Sequence, residues 1–176
     1  MSSNLLPALT RPRPAPGPAP ALAVLGAHGG AGTSTLAALL GAADLGCRYD
    51  DRLPPVLTSG GPAGPGRALL LACRPTTLSA TYATEAIRDL AAVRIPVAVL
   101  VICGDGWPET PVATARYRLL SAQVGTVTRM PFIPVIRGYG HPEQVRLGRG
   151  ARHALTAIQT LAGQHSQAWN TSQEAS

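Results

Sequence analysis

Two stretches of this chain carry no polar side chain on either face: Ala68-Leu69-Leu70-Leu71-Ala72-Cys73 and Val97-Ala98-Val99-Leu100-Val101-Ile102-Cys103. A strand with one face in water alternates polar and apolar residues. A strand that is apolar throughout has to be covered above and below. With strands read over Arg67–Cys73 and Ile95–Cys103, the rest of the chain must supply helices for both faces of a sheet. Apolar residues at helical spacing predict one helix over 79–93, through Ala83, Ile87, Leu90 and Ala91, and another over 142–162. A helix over 110–123 opens on Thr110-Pro111, a good N-cap and N1 pair. Ala21–Ala27 reads as a further strand leading to a helix over 33–44, and Val124–Arg129 as a last strand. Strands and helices in strict alternation imply an α/β fold, a three-layer sandwich with a mainly parallel sheet.

The ends fall outside this pattern. Residues 1–20 include Arg11-Pro12-Arg13-Pro14-Ala15-Pro16-Gly17-Pro18-Ala19-Pro20, which cannot bury a core and reads as a disordered Pro-rich tail. Residues 163–176 are polar and read as a second disordered tail, leaving one domain over 21–162. Between Asp44 and Gly66 the prolines and glycines predict irregular chain, with room for one brief strand at Val56-Leu57. Asp50 and Asp51 lie there beside two arginines, a setting that suits solvated ion pairs better than acid/base catalysis. The chain is 45% apolar but only 4% aromatic, so its core has to be built from Ala, Leu, Val and Ile. No apolar run approaches the roughly 18 residues of a membrane span, and the Pro-rich start does not read as a signal peptide. Cys47, Cys73 and Cys103 lack CxxC spacing and histidine partners. They point to a reducing cytoplasm rather than a zinc site or disulfide framework. Fifteen basic residues against nine acids give a net charge of +6, which permits contact with nucleic acid or an anionic surface.

The stretch with most chemical content is Gly26-Ala27-His28-Gly29-Gly30-Ala31-Gly32-Thr33-Ser34-Thr35, between the first strand and first helix. Glycines let backbone N–H groups turn toward an anion at close range, and the helix N-terminus behind them adds unpaired donors and a positive dipole end. The same strand–turn–helix with a hydroxyl cap can also be purely structural.

His28–Thr35 resembles the deviant Walker A loop of the MinD/ParA ATPases, Lys-Gly-Gly-x-Gly-Lys-Ser/Thr-Thr. All three glycines and both hydroxyl positions are kept, while His28 and Thr33 stand where the family has lysines. The chain has no lysine at all; its fifteen basic residues are all arginine. The likeness extends in order over about residues 21–162. A nearer resemblance is to small actinobacterial proteins with a His-Gly-Gly-Ala-Gly-x-Ser-Thr-Leu loop, which points toward plasmid transfer or partition. The family resemblance implies a P-loop fold, a phosphate site formed by Gly29, Gly30, Ala31, Gly32, Thr33, Ser34 and Thr35, ATP or another nucleotide with magnesium on Ser34, and a homodimer. It puts a nucleoside beside Asp105 and Pro134.

The departures from the family alter the expected chemistry. Without the lysine, and with Arg74-Pro75-Thr76-Thr77 where the family's Walker B aspartate ends the strand, efficient hydrolysis is not expected. Arg74 lies at the strand end where ligands gather and is the candidate for the missing cation, the alternatives being a pair with Asp105 or Asp51, or a side chain pointing to solvent. The leading reading is therefore a degenerate P-loop protein that binds a nucleotide weakly, or none, and acts through a protein partner. One alternative is a DNA-associated accessory protein that needs no nucleotide. It would use Arg146, Arg149 and Arg152, spaced i, i+3, i+6 on one helix face. Another is a slow ATPase with a substituted cation.

Overall fold

The computed structural model describes residues 22–49, 52–58, 67–138 and 141–174. The Pro-rich residues 1–20, Asp50, Asp51 and the Gly60–Gly66 stretch lie outside the described residues. The sheet has five strands, all parallel: β1 (Leu22–Gly26), β2 (Ala43–Cys47), β3 (Ala68–Cys73), β4 (Val97–Cys103) and β5 (Thr126–Met130). Their order across the sheet is β2-β1-β3-β4-β5. Every residue of β3 and β4 is buried, as two-sided apolar strands require.

Helices cover both faces. Helix α1 (Thr33–Leu40) and helix α5 (Arg149–Glu174) bring Leu36, Leu40, Leu155 and Ile158 against Val24, Leu70, Val99 and Val101. On the other face, α3 (Thr77–Ala92) and α4 (Pro111–Leu120) bring Ile87, Leu90, Tyr117 and Leu120 against Leu25, Leu71, Leu100 and Ile102. Each such side chain contributes about 1.5–3 kcal/mol when fully buried. Side-chain caps fix the starts of α3 and α4. The Thr76 hydroxyl accepts from the Ser79 amide and the Thr110 hydroxyl from the Ala113 amide, both at 3.2 Å.

The structure corrects several sequence expectations. Helix α1 ends at Leu40 rather than residue 44, because Gly41 takes a left-handed conformation and the Ala42 amide turns back to the Ala37 carbonyl at 2.9 Å. That releases Ala43–Cys47, read from sequence as the helix end and the start of irregular chain, to pair with β1 as an edge strand. Val56-Leu57, read as a brief strand, lies in the single helical turn α2 (Pro55–Thr58). Pro55 begins that turn, where its fixed φ suits a helix, and Leu57 enters the core. The helix expected over 142–162 is split. A 3-10 turn at Pro142–Gln144 and non-helical chain through Gly148 precede α5. Helix α5 then continues to Glu174, through residues expected to be a disordered tail.

Candidate functional site

The winding reverses at β1. The α1 crossover leads to β2 on one side, and the α3 and α4 crossovers lead through β4 to β5 on the other, on the opposite face. In doubly wound sheets of this 2-1-3-4-5 order, the ligand crevice lies outside the carboxyl ends of β1 and β3. The glycine loop leaves β1 at that point, and Arg74 leaves β3 beside it.

The loop is held from below by the Ala27 amide, which donates to the Ala72 carbonyl at 2.9 Å, and closes on itself through Ala31 to the His28 carbonyl at 3.3 Å. Gly30 and Gly32 have φ of +80° and +91°, conformations a β-carbon would strain. Gly32 is the N-cap of α1, so no side chain covers the helix end. Among the described residues, the amides of Gly32, Thr33, Ser34 and Thr35 find no partner in the chain, which leaves an open set of donors with the helix dipole behind them. Gly29, Gly30 and Ser34 are exposed, Ala31 is buried, and Thr35 is half-buried. Thr33 is 7% exposed: it turns into the fold and puts Oγ1 where a β-carbon on Gly26 would sit.

Arg74 reaches this loop. Its Nε donates to the Gly30 carbonyl at 2.7 Å and its Nη1 to the Gly104 carbonyl, at the end of β4, at 3.3 Å. Two of the guanidinium's five donors are thereby engaged with neutral oxygens. Near Asp105 the guanidinium's acceptor is the Gly104 backbone carbonyl and not the Asp105 carboxylate; Asp51 lies outside the described residues. The Arg74 backbone is fixed too, its amide donating to Ser79 Oγ at 2.7 Å and its carbonyl accepting from the Tyr117 hydroxyl.

Ser79 also holds the loop. His28 Nδ1 lies 2.7 Å from the Gly29 carbonyl, so that nitrogen carries the proton in the neutral ring and leaves Nε2 to accept from Ser79 Oγ at 2.6 Å. A Ser–His pair oriented by a third group has the outline of a nucleophile and base. Here the serine is 2% exposed and its hydroxyl is engaged by both His28 and the Arg74 amide, so the pair acts as a latch from the glycine loop to the first turn of α3.

Beside the loop a cleft is lined by Thr35, Leu39, Arg74, Gly104, Phe132, Ile136 and Arg137, among others. The Arg137 guanidinium stacks over the Phe132 ring at 4.8 Å and donates to the Asp105 carbonyl at 3.4 Å. The Asp105 carboxylate is used locally, accepting from the Trp107 amide at 3.0 Å. Asp105 and Pro134 are absent from the residues that line this cleft; Gly104, Phe132 and Ile133 are present instead. Cys103 lies under Gly32, and burial pushes both its thiol and that of Cys73 up to about 12, so neither offers a thiolate. Among the described residues, no three His, Cys, Asp or Glu side chains group as metal ligands.

Arg146, Arg149 and Arg152 are exposed but do not share one helix face. Arg146 precedes α5, in the non-helical stretch, and only Arg149 and Arg152 are helical. Sequence reasoning missed the His28–Ser79 latch, the Tyr117 contact and the Phe132–Arg137 stack. The first two join residues that only the folded sheet brings together; Phe132 and Arg137 meet within the segment that follows β5.

No known protein-family model, curated protein or solved structure matches this chain.

Proposed function

We propose that this is a degenerate P-loop protein, similar to the MinD/ParA ATPases, that holds a phosphate-bearing ligand weakly, does not hydrolyse it, and acts as a non-catalytic accessory through a partner, in plasmid transfer or partition. The reading is carried by Arg74: the cation that hydrogen-bonds the glycine loop is a guanidinium from β3, already donating to Gly30 and Gly104. Free amides at the start of α1 suit a phosphate. A phosphate arriving there competes with two existing acceptors for the guanidinium, which lowers its net gain. A guanidinium tethered outside the loop also cannot follow charge onto a leaving phosphate as a loop lysine does. Thr33, in the position of that lysine, is folded inward. No carboxylate follows Cys73 to hold a magnesium water.

Calorimetric titration with ATP, ADP and GTP, with and without magnesium, tests the reading. Binding of order 0.1–1 mM is expected, about 4–5.5 kcal/mol. Arg74→Ala should weaken triphosphate binding about tenfold or more, the value of a charge-assisted hydrogen bond. Equal binding by both proteins would remove Arg74 from the site, and binding by neither would make the glycine loop a structural turn.

A second reading, a nucleotide-independent DNA accessory, draws support from the exposure of Arg146, Arg149 and Arg152, none of which pairs with a carboxylate among the described residues. It requires duplex binding that falls with salt and is lost when all three become Ala.

A further inference from the structure

Helix α4 carries two apolar stripes, and the core uses one. Ala113, Tyr117 and Leu120, at i, i+4 and i+7, are buried. Val112, Ala115 and Leu119, at i, i+3 and i+7, are all exposed, Val112 by 55% and Leu119 by 72%. Either spacing alone would make an amphipathic helix. Among the described residues nothing covers the outer set.

Its borders are charged. The outer stripe spans about 60° of the helix, with Arg116 about 40° beyond one side and Arg118 about 60° beyond the other. Arg116 donates to the Thr81 hydroxyl on α3, and both arginines are exposed. Among the described residues neither meets a carboxylate, whereas Arg48 and Arg129 do.

We propose that this face of α4 docks an acidic amphipathic helix of a partner protein. Ala115 between the larger Val112 and Leu119 leaves a hole of the kind that receives a side-chain knob from a facing helix. Arginines on both flanks favour Glu or Asp beside the partner's apolar seam and speed its approach. A second copy of this chain would set arginines against arginines, on molecules that each carry a net +6. A lipid surface fits poorly, because the stripe has no aromatic residue and only two large apolar side chains to insert. The docking face stands whether or not the glycine loop holds a phosphate.

Fluorescence anisotropy with the full chain tests this. The probes are three labelled synthetic helical peptides with one leucine seam, flanked by Glu, Gln or Lys. The Glu peptide should bind, the Gln peptide about tenfold or more weakly, and the Lys peptide not at all. Leu119→Asp should abolish binding with the circular dichroism spectrum unchanged, since the position is exposed. An Arg116→Glu/Arg118→Glu double variant should lose the Glu peptide and gain the Lys peptide. Failure of the Glu peptide to bind, or binding that these variants leave intact, overturns the proposal. So does a wild-type dimer in sedimentation that Leu119→Asp dissolves, or binding to phosphatidylglycerol vesicles or duplex DNA that the same variant removes.

Discussion

Arg74 and Ser79 divide the work of shaping the glycine loop. The Ser79 hydroxyl donates to His28 and accepts from the Arg74 amide, so one oxygen fixes the loop and the residue that reaches across it. Arg74 then ties the loop to the end of β4 with a planar fork whose remaining donors stay available. Beneath them Gly26 has no room for a side chain: a β-carbon there would lie 2.3 Å from Thr33 Oγ1 and 3.0 Å from Cys47 Cβ. Gly26→Ala should destabilise the fold by about 1–3 kcal/mol, the cost of overpacking a filled site, and lower any affinity for phosphate with it. Urea unfolding gives the first quantity, and a change below about 0.5 kcal/mol, within the range of surface substitutions, would show that Thr33 can move aside.

Among the elements, β2 and β5 form the edges of the sheet, and each is tied down by charge. Arg48, just after β2, is 5% exposed in its side chain and donates to Glu85 at 3.0 Å and Asp89 at 2.8 Å on α3. Arg48→Met should cost about 1.5–3 kcal/mol, the value of hydrogen bonds to charged groups. A loss no larger than that of an exposed arginine would mean that the carboxylates find water instead. On β5, Arg129 grips Glu109 through Nε at 2.8 Å and Nη2 at 2.9 Å, and these bonds hold the Glu109 carboxyl below its ordinary 4.5. A carboxylate depressed by folding stabilises the native state above its unfolded pKa. That stability is lost as pH falls through the lower folded value. Glu109→Gln should therefore be less stable than wild type at pH 7 by about 0.5–1 kcal/mol, Arg129 being partly exposed to solvent. The gap should close below pH 4.5; a gap that persists at pH 2–3 would assign it to packing. These elements also mark what the sequence disclosed. The buried strands β3 and β4 were legible because every residue in them is apolar, and α4 because Thr110-Pro111 announces it. Strand β2 was hidden because only Leu45 of its five residues is buried, leaving almost no periodicity to read, and the helix before it was read through Gly41 to residue 44. The break before α5 was equally hidden, since Val145 and Leu147 continue a helical spacing through chain that is not helical.

For the whole molecule, an all-parallel sheet brings every strand's carboxyl end to one edge, and it is there that the glycine loop, Arg74, Gly104 and the Phe132–Arg137 pair converge. The glycine spacing foretold the loop and its free amides; it carried no information about His28–Ser79, a contact 51 residues apart in sequence. The proposed function requires this edge to hold a phosphate group without turning it over. Magnesium-dependent phosphate release from ATP and GTP, measured on wild type and Ser34→Ala side by side, tests it most directly. Both proteins should release phosphate at the buffer rate; robust magnesium-dependent release by wild type, lost in Ser34→Ala, would contradict the claim and establish a working ATPase built on a substituted cation.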